Sequence, residues 1–333
     1  MNDARPDPQQ TVPLPREVPR RPALGVDIGG TLIKAGRLDP DGGVAQELER
    51  PTPAHEAPAA LVAVVASMLR ALGVAEPPLT LGIGCAGLIG PEPGTVLTSP
   101  NLPAWKRVPL AELIAKACGT VPEVLNDANA FTLAESRNGA GRGAQNVIGL
   151  TLGTGVGGGI VLAGKLWIGR HGFAAEIGHM PLLVDGPLCA CGAQGCLESL
   201  IGTPAILARY ERWAGGGTGG AEKPPGRALL TPKEIALRAE QGDMAARQTY
   251  AETGHFLGSA LRGLTHLFDP DLFVIGGGIS GAWNLMAEAA EEALLDHLLM
   301  PRDLAPQIRP AALGHAAGWI GAALYGSEQA GRP

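Results

Sequence analysis

Three thiols and one imidazole lie close together in the sequence, at Cys189, Cys191, Cys196 and His179. Thiolates and imidazole nitrogens are ligands that zinc prefers, and four of them complete a closed tetrahedral site. A disulfide is the alternative, but Cys189 and Cys191 are too close in sequence for an easy bridge. The spacing therefore predicts a zinc site that fixes this loop.

Two carboxylates flank the cluster. Glu176 lies three residues before the histidine, and Glu198 lies two residues after the last cysteine. A metal-fixed loop with carboxylates beside it indicates a pocket that binds polar hydroxyl groups. The remaining cysteines, Cys85 and Cys118, lie in apolar runs that are typical of buried free thiols.

Two glycine-rich turns expose backbone N–H groups that side chains would otherwise cover. The first turn contains Gly29, Gly30 and Thr31, and the second contains Gly153, Thr154 and Gly155. Such a turn can bind a phosphate, although a single one is more often a tight hairpin. Because the two turns follow strands at equivalent places, their pairing favours phosphate binding.

Two charged residues adjoin the first turn. Asp27 precedes it and is a candidate oxygen ligand, direct or through water, for Mg²⁺. Lys34 could bring a positive charge near the phosphates or could be a solvated lysine at a strand end.

A third glycine cluster follows the apolar strand Leu272 to Ile275 and comprises Gly276, Gly277 and Gly278. It formally fits a dinucleotide fingerprint, which requires a second strand ending in an acidic residue about 20 positions on. The pattern from Ala282 to Leu299 instead predicts one long helix. We therefore expect the cluster to pack against adenosine.

Asn126 and Asp127 lie where a buried strand passes into a helix. Asp127 is a candidate general base at that position. Either residue could equally be a helix N-cap, and both roles could hold at once.

The chain has 333 residues, of which 45% are hydrophobic and 4% aromatic, enough for two domains with separate cores. No apolar run is long enough to cross a membrane and no signal segment opens the chain, so we expect a cytoplasmic protein without a membrane partner. The net charge of -6, with scattered basic residues, argues against nucleic acid as a partner.

The element pattern repeats, and each half opens with a strand, a glycine turn and a second strand. This repeat predicts a duplicated α/β fold with a central cleft. We expect residues 1–22 to form a disordered Pro-rich tail and Gly215 to Gly226 to form a surface loop. The predicted strands are Ala23 to Ile28, Leu32 to Leu38, Leu79 to Cys85, Val121 to Leu125, Val147 to Leu152 and Gly158 to Leu162, and the predicted helices include Ala57 to Leu72 and Ala128 to Arg137.

In this order, the motifs resemble those of the ROK family of bacterial sugar kinases and repressors, and the glucokinase branch is the most similar. The resemblance runs from Leu24 to about Tyr325 and rests on Asp27 to Thr31, Ser99 to Leu102, Asn126 to Asn129, Gly153 to Gly155, Glu176 to His179 and Cys189 to Glu198. It implies an actin-like, ribonuclease-H-like fold. The implied domains are residues 23–126 with 315–328, including a last helix from His315 to Gly326, and a larger domain of residues 127–314 with the zinc site and nucleotide-binding segments.

The resemblance also implies roles. Asp127 would accept the proton of a sugar hydroxyl as it attacks the γ-phosphate of ATP, with Mg²⁺ near Asp27 and zinc purely structural. The other sugar-binding residues would be Asn101, Asn126, Glu176, His179 and Glu198. Relatives are commonly homodimers or homotetramers.

Three functions stay open at this point. The first is phosphorylation of glucose at O6 with ATP and Mg²⁺. The second is a related kinase that uses N-acetylglucosamine, N-acetylmannosamine, mannose or fructose, or polyphosphate as the donor. The third is a sugar sensor without turnover.

Overall fold

A computed structural model describes Pro19 and residues 21–74, 79–215 and 230–330. Within these ranges, no helix is both long and apolar enough to cross a membrane. The chain divides into two compact units. The first unit comprises residues up to Val147, Val161–Leu166 and the residues from His315 onward, and the second comprises Ile148–Ile160 and Trp167–Gly314.

Strands and helices alternate along the chain. The strands are β1 (Ala23–Ile28), β2 (Leu32–Leu38), β3 (Val44–Pro51), β4 (Thr80–Cys85), β5 (Leu88–Ile89), β6 (Thr95–Thr98), β7 (Lys106–Pro109), β8 (Glu123–Asn126), β9 (Val147–Leu152), β10 (Val156–Leu162), β11 (Lys165–Leu166), β12 (Leu272–Gly276) and β13 (Gln307–Pro310). The α-helices are α1 (Pro58–Ala71), α2 (Leu110–Cys118), α3 (Asp127–Asn138), α4 (Leu197–Ile201), α5 (Thr203–Ala214), α6 (Pro232–Glu240), α7 (Met244–Phe268), α8 (Ala287–Leu295) and α9 (Ala317–Ala330).

Two five-stranded sheets have the same topology, in the orders β3-β2-β1-β4-β8 and β11-β10-β9-β12-β13. In the first sheet, β1 pairs antiparallel with β2 and parallel with β4, and β4 pairs parallel with β8. In the second sheet, β10 and β11 are antiparallel and β12 and β13 are parallel. The matching orders show the internal repeat that the sequence pattern predicts.

Glycines let α9 pack directly against the first sheet. A Cβ atom on Gly25 of β1 would collide with the backbone carbonyl oxygen of Trp319, and one on Gly82 of β4 would collide with that of Ala322. Residues of α1, α2, β1 and β4 form an apolar core that includes Leu24, Leu61 and Ile83. β1 is therefore covered on both faces, as suits its central position in the sheet.

The predicted elements hold with several corrections. The residues from Ala282 to Leu299 are not one helix, because a 3₁₀ turn over Gly278–Leu285 contains a kink at Ala282 and α8 ends at Leu295. β10 begins at Val156, two residues earlier than predicted. The last helix is Ala317–Ala330 and follows a separate 3₁₀ turn at Gly314–Ala316.

The three-stranded sheet β5-β6-β7 was not predicted, because its strands are only two to four residues long. The expected tail lies almost wholly outside the described residues. So does the expected loop beyond Gly215, which follows α5.

Candidate active site

The structure brings the four predicted metal ligands together. The ligand atoms of His179, Cys189, Cys191 and Cys196 all lie within 4.8 Å of one another. Cys191 Sγ lies 3.7 Å from Cys196 Sγ, and Cys189 Sγ lies 3.6 Å from His179 Nδ1. Zinc with bonds of about 2.3 Å to sulfur and 2.0 Å to nitrogen separates tetrahedral ligand atoms by about 3.5–3.8 Å. The side chains therefore fit a zinc ion.

Tight turns bring these ligands together from different segments. Isolated β-bridges join Pro181 to Cys196 and Leu188 to Gln194. Gly195 has a φ of 67°, which favours glycine, and a Cβ atom there would collide with the carbonyl oxygen of Leu183. Glycine is thus required beside the last ligand for reasons of backbone packing.

All five cysteines are free thiols in the structure. Cys85 is buried, as predicted, whereas Cys118 is only partly buried. Cys189 and Cys191 are not joined by a disulfide, in agreement with their spacing.

The two predicted carboxylates at the metal cluster differ in their surroundings. Glu198 Oε1 lies 3.6 Å from Cys189 Sγ, and Glu198 Oε2 accepts a hydrogen bond of 3.1 Å from the Val156 backbone N–H. Glu176 is exposed and precedes a 3₁₀ turn at Ile177–His179. Ala175, directly before it, has a φ of 67°, an uncommon conformation for a non-glycine residue.

In the first unit, Asp27 and Asp127 interact electrostatically. The pKa of Asp27 is raised from its ordinary 3.8 to about 7. Burial is the largest cause, repulsion by the Asp127 carboxylate adds to it, and the positive charge of Lys34 opposes both. Burial also raises the pKa of Asp127, although hydrogen bonds from backbone N–H groups and from Asn126 counteract it. The positive charge of Lys34 therefore lies near enough to lower the pKa of Asp27.

Asn126, and not Asp127, is the N-cap of α3. Its side-chain oxygen accepts hydrogen bonds from the backbone N–H groups of Ala128 at 2.9 Å and Asn129 at 3.1 Å. Its amide Nδ2 donates to the Gly87 carbonyl at 3.1 Å. Capping by Asn126 leaves Asp127 at the first helical position, where a carboxylate is favoured by the helix dipole.

The first glycine turn is closed by hydrogen bonds and contacts Asn101. Gly29 N–H donates to the Leu32 carbonyl at 3.1 Å, and the Thr52 hydroxyl donates to the Gly29 carbonyl at 2.8 Å. A Cβ atom on Gly30 would lie 2.9 Å from Asn101 Cβ. The structure thus brings the predicted Asn101 to this turn, whereas Thr31 is exposed.

The second and third glycine clusters lie together in the second unit. Gly277 has a φ of 86°, and a Cβ atom there would collide with the backbone of Leu152, the residue before Gly153. Added Cβ atoms on Gly153 and Gly278 would meet no described atom within 4 Å. At these two glycines the backbone is therefore open to a ligand.

Two polar residues within the predicted motifs had been given no role. Ser99 and Asn129 are buried, and within the described residues neither Ser99 Oγ nor Asn129 Oδ1 has a hydrogen-bond partner. Buried polar atoms without a partner are uncommon and often mark a ligand or water site. Both residues lie close to other polar residues in the sequence, so no local pattern indicated that they would be buried.

A third residue, Arg209, was missed entirely. Its guanidinium donates to the Leu200 carbonyl in α4 at 2.7 Å and to the Thr253 hydroxyl in α7 at 2.8 Å. It also pairs with Glu252 at 3.1 Å. An arginine in an amphipathic helix carries no sequence signal that separates a buried role from an exposed one.

Comparison with known proteins agrees with this fold. The ROK family model matches residues 23–328, and the chain belongs to the ROK family. Its fold is the actin-like two-domain fold of the ROK sugar kinases, as predicted.

Individual relatives cover nearly the whole chain. The chain is 38% identical over 316 residues to the glucokinase of Streptomyces coelicolor, and the match covers 92% of this chain and 97% of that protein. It is 37% identical over 314 residues to the N-acetyl-D-glucosamine kinase of Salmonella gallinarum, and the match covers 90% of this chain and 97% of that protein. A solved ROK family glucokinase from Streptomyces griseus, in complex with glucose and AMPPNP, is 33% identical, with a TM-score of 0.77 and coverage of 92% and 99%.

The raised pKa of Asp27 predicts a pH-dependent cost in stability. Because the folded chain binds this proton more tightly than the unfolded chain, wild type should lose stability as the pH rises from about 4 to about 7. Asp27→Asn removes that cost. In thermal melts of the zinc-loaded protein without added Mg²⁺, we expect the variant to exceed wild type in Tm at pH 8, by a margin that shrinks toward pH 4. A margin independent of pH would contradict this cause.

The cluster geometry predicts that the metal is needed for stability. Cys191→Ser removes one ligand of a closed site, so we expect bound zinc, melting temperature and sugar affinity to fall together. Cys118→Ser, which changes a thiol outside the cluster, is the control. Metal content is measured by atomic emission on purified protein. A fully active wild type without bound zinc would exclude the predicted site.

Proposed function

We propose that this chain is an ATP- and Mg²⁺-dependent hexose kinase that phosphorylates glucose at O6. The observation that carries the proposal is the half-buried Asp127 at the start of α3, in electrostatic contact with Asp27 beside the glycine turn. The glucokinase relatives in Streptomyces support this substrate and reaction.

Asp127 acts as the general base. Its raised pKa makes it a better proton acceptor than an ordinary aspartate, so it can take the proton of the sugar hydroxyl as the oxygen attacks phosphorus. Asn126 keeps the carboxylate in place through the N-cap of α3. Asn101 lies at the adjacent turn and binds another hydroxyl of the sugar.

Asp27 is the residue that would hold Mg²⁺. Two interacting carboxylates with raised pKa values and a single opposing lysine leave negative charge that a cation would offset. When bound, Mg²⁺ neutralises charge on the β- and γ-phosphates. Lys34 on β2 supplies a second positive charge, and its ammonium donates to the His315 carbonyl at 3.4 Å.

The second unit would bind the nucleotide and part of the sugar. The open backbone at Gly153 and Gly278 gives phosphate and adenosine room to approach, with Thr154 and Gly155 on one turn and Gly276 and Gly277 on the other. Four protein ligands leave zinc no open position, so the metal stabilises the loop and takes no part in phosphoryl transfer. Glu176, His179 and Glu198 bind sugar hydroxyls beside it.

A second candidate is phosphorylation of N-acetylglucosamine by the same mechanism. The Salmonella relative with that activity is 37% identical to this chain, nearly as similar as the Streptomyces glucokinase. The groups that perform phosphoryl transfer would be the same for either sugar. The expected cytoplasmic location and homodimeric or homotetrameric assembly stay predictions.

Removal of the base tests the mechanism. Asp127→Asn should lower kcat by a factor of about 10²–10⁴ while leaving sugar affinity nearly unchanged, because the amide cannot accept the proton. In wild type, kcat/KM should fall as the pH drops through a pKa above the ordinary aspartate value, since the protonated carboxyl is inactive. The exposed Asp303→Asn is the control. Wild-type turnover in Asp127→Asn would remove Asp127 from the mechanism.

A substrate panel tests the sugar and the donor. Sugar phosphate is measured for glucose, N-acetylglucosamine, N-acetylmannosamine, mannose and fructose, each with ATP or polyphosphate. We expect the highest kcat/KM for glucose with ATP. A higher value for another sugar or for polyphosphate would identify a related kinase with that substrate or donor. Binding without any turnover would identify a sensor.

A further inference from the structure

The Gly153–Gly155 turn is held from one side by the start of α5. Both the backbone N–H and the hydroxyl of Thr203 donate to the Gly153 carbonyl, each at 3.0 Å. Gly202 approaches so closely that a Cβ atom there would lie 3.0 Å from the Thr154 carbonyl oxygen. Thr203 and Gly153 are 50 positions apart in the chain.

The other end of the turn is held by Glu198. Its Oε2 accepts the hydrogen bond from Val156 N–H, and a Cβ atom on Gly155 would collide with the same oxygen. Gly153 N–H donates to the Gly155 carbonyl at 2.9 Å. Among the described residues, the backbone N–H groups of Thr154 and Gly155 donate to no other group.

Because a peptide unit is planar, the hydrogen bonds to the Gly153 carbonyl also fix the direction of the Thr154 N–H. The Gly153 carbonyl and the Thr154 N–H belong to one peptide unit, and in a trans peptide they point in opposite directions. By holding the carbonyl, Thr203 aims the Thr154 N–H away from α5. Glycine has a low barrier to alternative backbone conformations, so without Thr203 this peptide could rotate and present its carbonyl oxygen to an anion.

Of the elements that contact the turn, α4 also contacts the predicted metal ligands. α4 follows directly on the ligand Cys196, which is its N-cap residue. Glu198 lies in the first turn of α4 and contacts Cys189 Sγ, and the Glu198 carbonyl accepts a hydrogen bond from Gly202 N–H at 2.9 Å. A shift of α4 would therefore move both contacts to the turn.

We propose that Thr203 and Glu198 are positioning residues that orient the Gly153–Gly155 turn for the phosphates of ATP, so that nucleotide affinity depends on the metal cluster. The inference rests on the proposed function in taking this turn as the phosphate site. Thr203 acts only through the backbone of the turn, whereas Glu198 also lies beside the sugar.

The test of Thr203 compares three variants. Thr203→Val should raise the KM for ATP and the Kd for Mg·ADP about three- to tenfold, the loss that one hydrogen bond represents, with sugar KM and zinc content unchanged. Thr203→Ser, which keeps the hydroxyl, should restore both values. Thr265→Val removes a hydroxyl bond of 2.8 Å to the Leu261 carbonyl elsewhere in the same unit and should leave Kd unchanged.

The test of the metal uses Kd for Mg·ADP by calorimetry, together with zinc content and the melting curve. Cys191→Ser protein that remains folded should bind Mg·ADP at least as weakly as Thr203→Val. Glu198→Ala, which keeps all four metal ligands, tests the contact between the metal-binding loop and the turn and should also weaken Mg·ADP binding. If Cys191→Ser does not fold, wild type titrated with a zinc chelator replaces it: the Kd for Mg·ADP should rise as zinc is lost, before the chain unfolds.

The outcomes separate this inference from the proposed function. Unchanged ADP affinity in Thr203→Val overturns the role of Thr203, and unchanged affinity in Glu198→Ala overturns the role of Glu198. Unchanged affinity in folded zinc-free protein overturns the dependence on the metal. Wild type that binds Mg·ADP but phosphorylates no sugar refutes the kinase alone, because the ADP measurements still decide the inference. Wild type that binds no Mg·ADP overturns both.

Discussion

The first unit holds two partly buried carboxylates that repel each other, and its fold must bear that cost. Strand pairing of β1 with β4 and of β4 with β8 fixes the end of β1 near the start of α3, and these elements carry Asp27 and Asp127. α9 closes against Asp27, since a Cβ atom on Gly318 would collide with its carboxylate oxygen. Burial raises both pKa values while Lys34 offers only partial relief. The fold thus retains an unfavourable charge, as is common at functional sites.

The second sheet repeats the topology of the first but not its charge. Asp27 is the second-last residue of β1, and the corresponding position at the end of β9 is Thr151. The first repeat therefore offers carboxylates, which suit a cation and a proton, and the second offers backbone N–H groups, which suit an anion. The two repeats share one strand order, and the carboxylates at the strand ends of the first repeat distinguish its chemistry from that of the second.

Motifs within short segments could be predicted from the sequence, whereas contacts between distant segments could not. The metal ligands and glycine turns were predicted because spacing and residue type define them locally. The long helix after Gly278 was predicted wrongly, because apolar and small residues suit both an α-helix and the kinked 3₁₀ turn that forms. The bond from Thr203 to Gly153 and the burial of Arg209 depend on how α4, α5 and α7 pack, which no local pattern reports.

A glycine can be required because the protein packs against it or because a ligand approaches it, and these two reasons must be distinguished at each position. Gly155 and Gly277 are required internally, because a Cβ atom would collide with Glu198 or with Leu152. Gly153 has no such neighbour and no positive φ, so neither packing nor backbone strain explains its lack of a side chain. The same holds for Gly278. The second and third clusters meet where Gly277 packs against Leu152, and each unexplained glycine is the residue next in sequence to that contact. The two open glycines therefore flank the contact, where a nucleotide's phosphates and adenosine can approach the backbone.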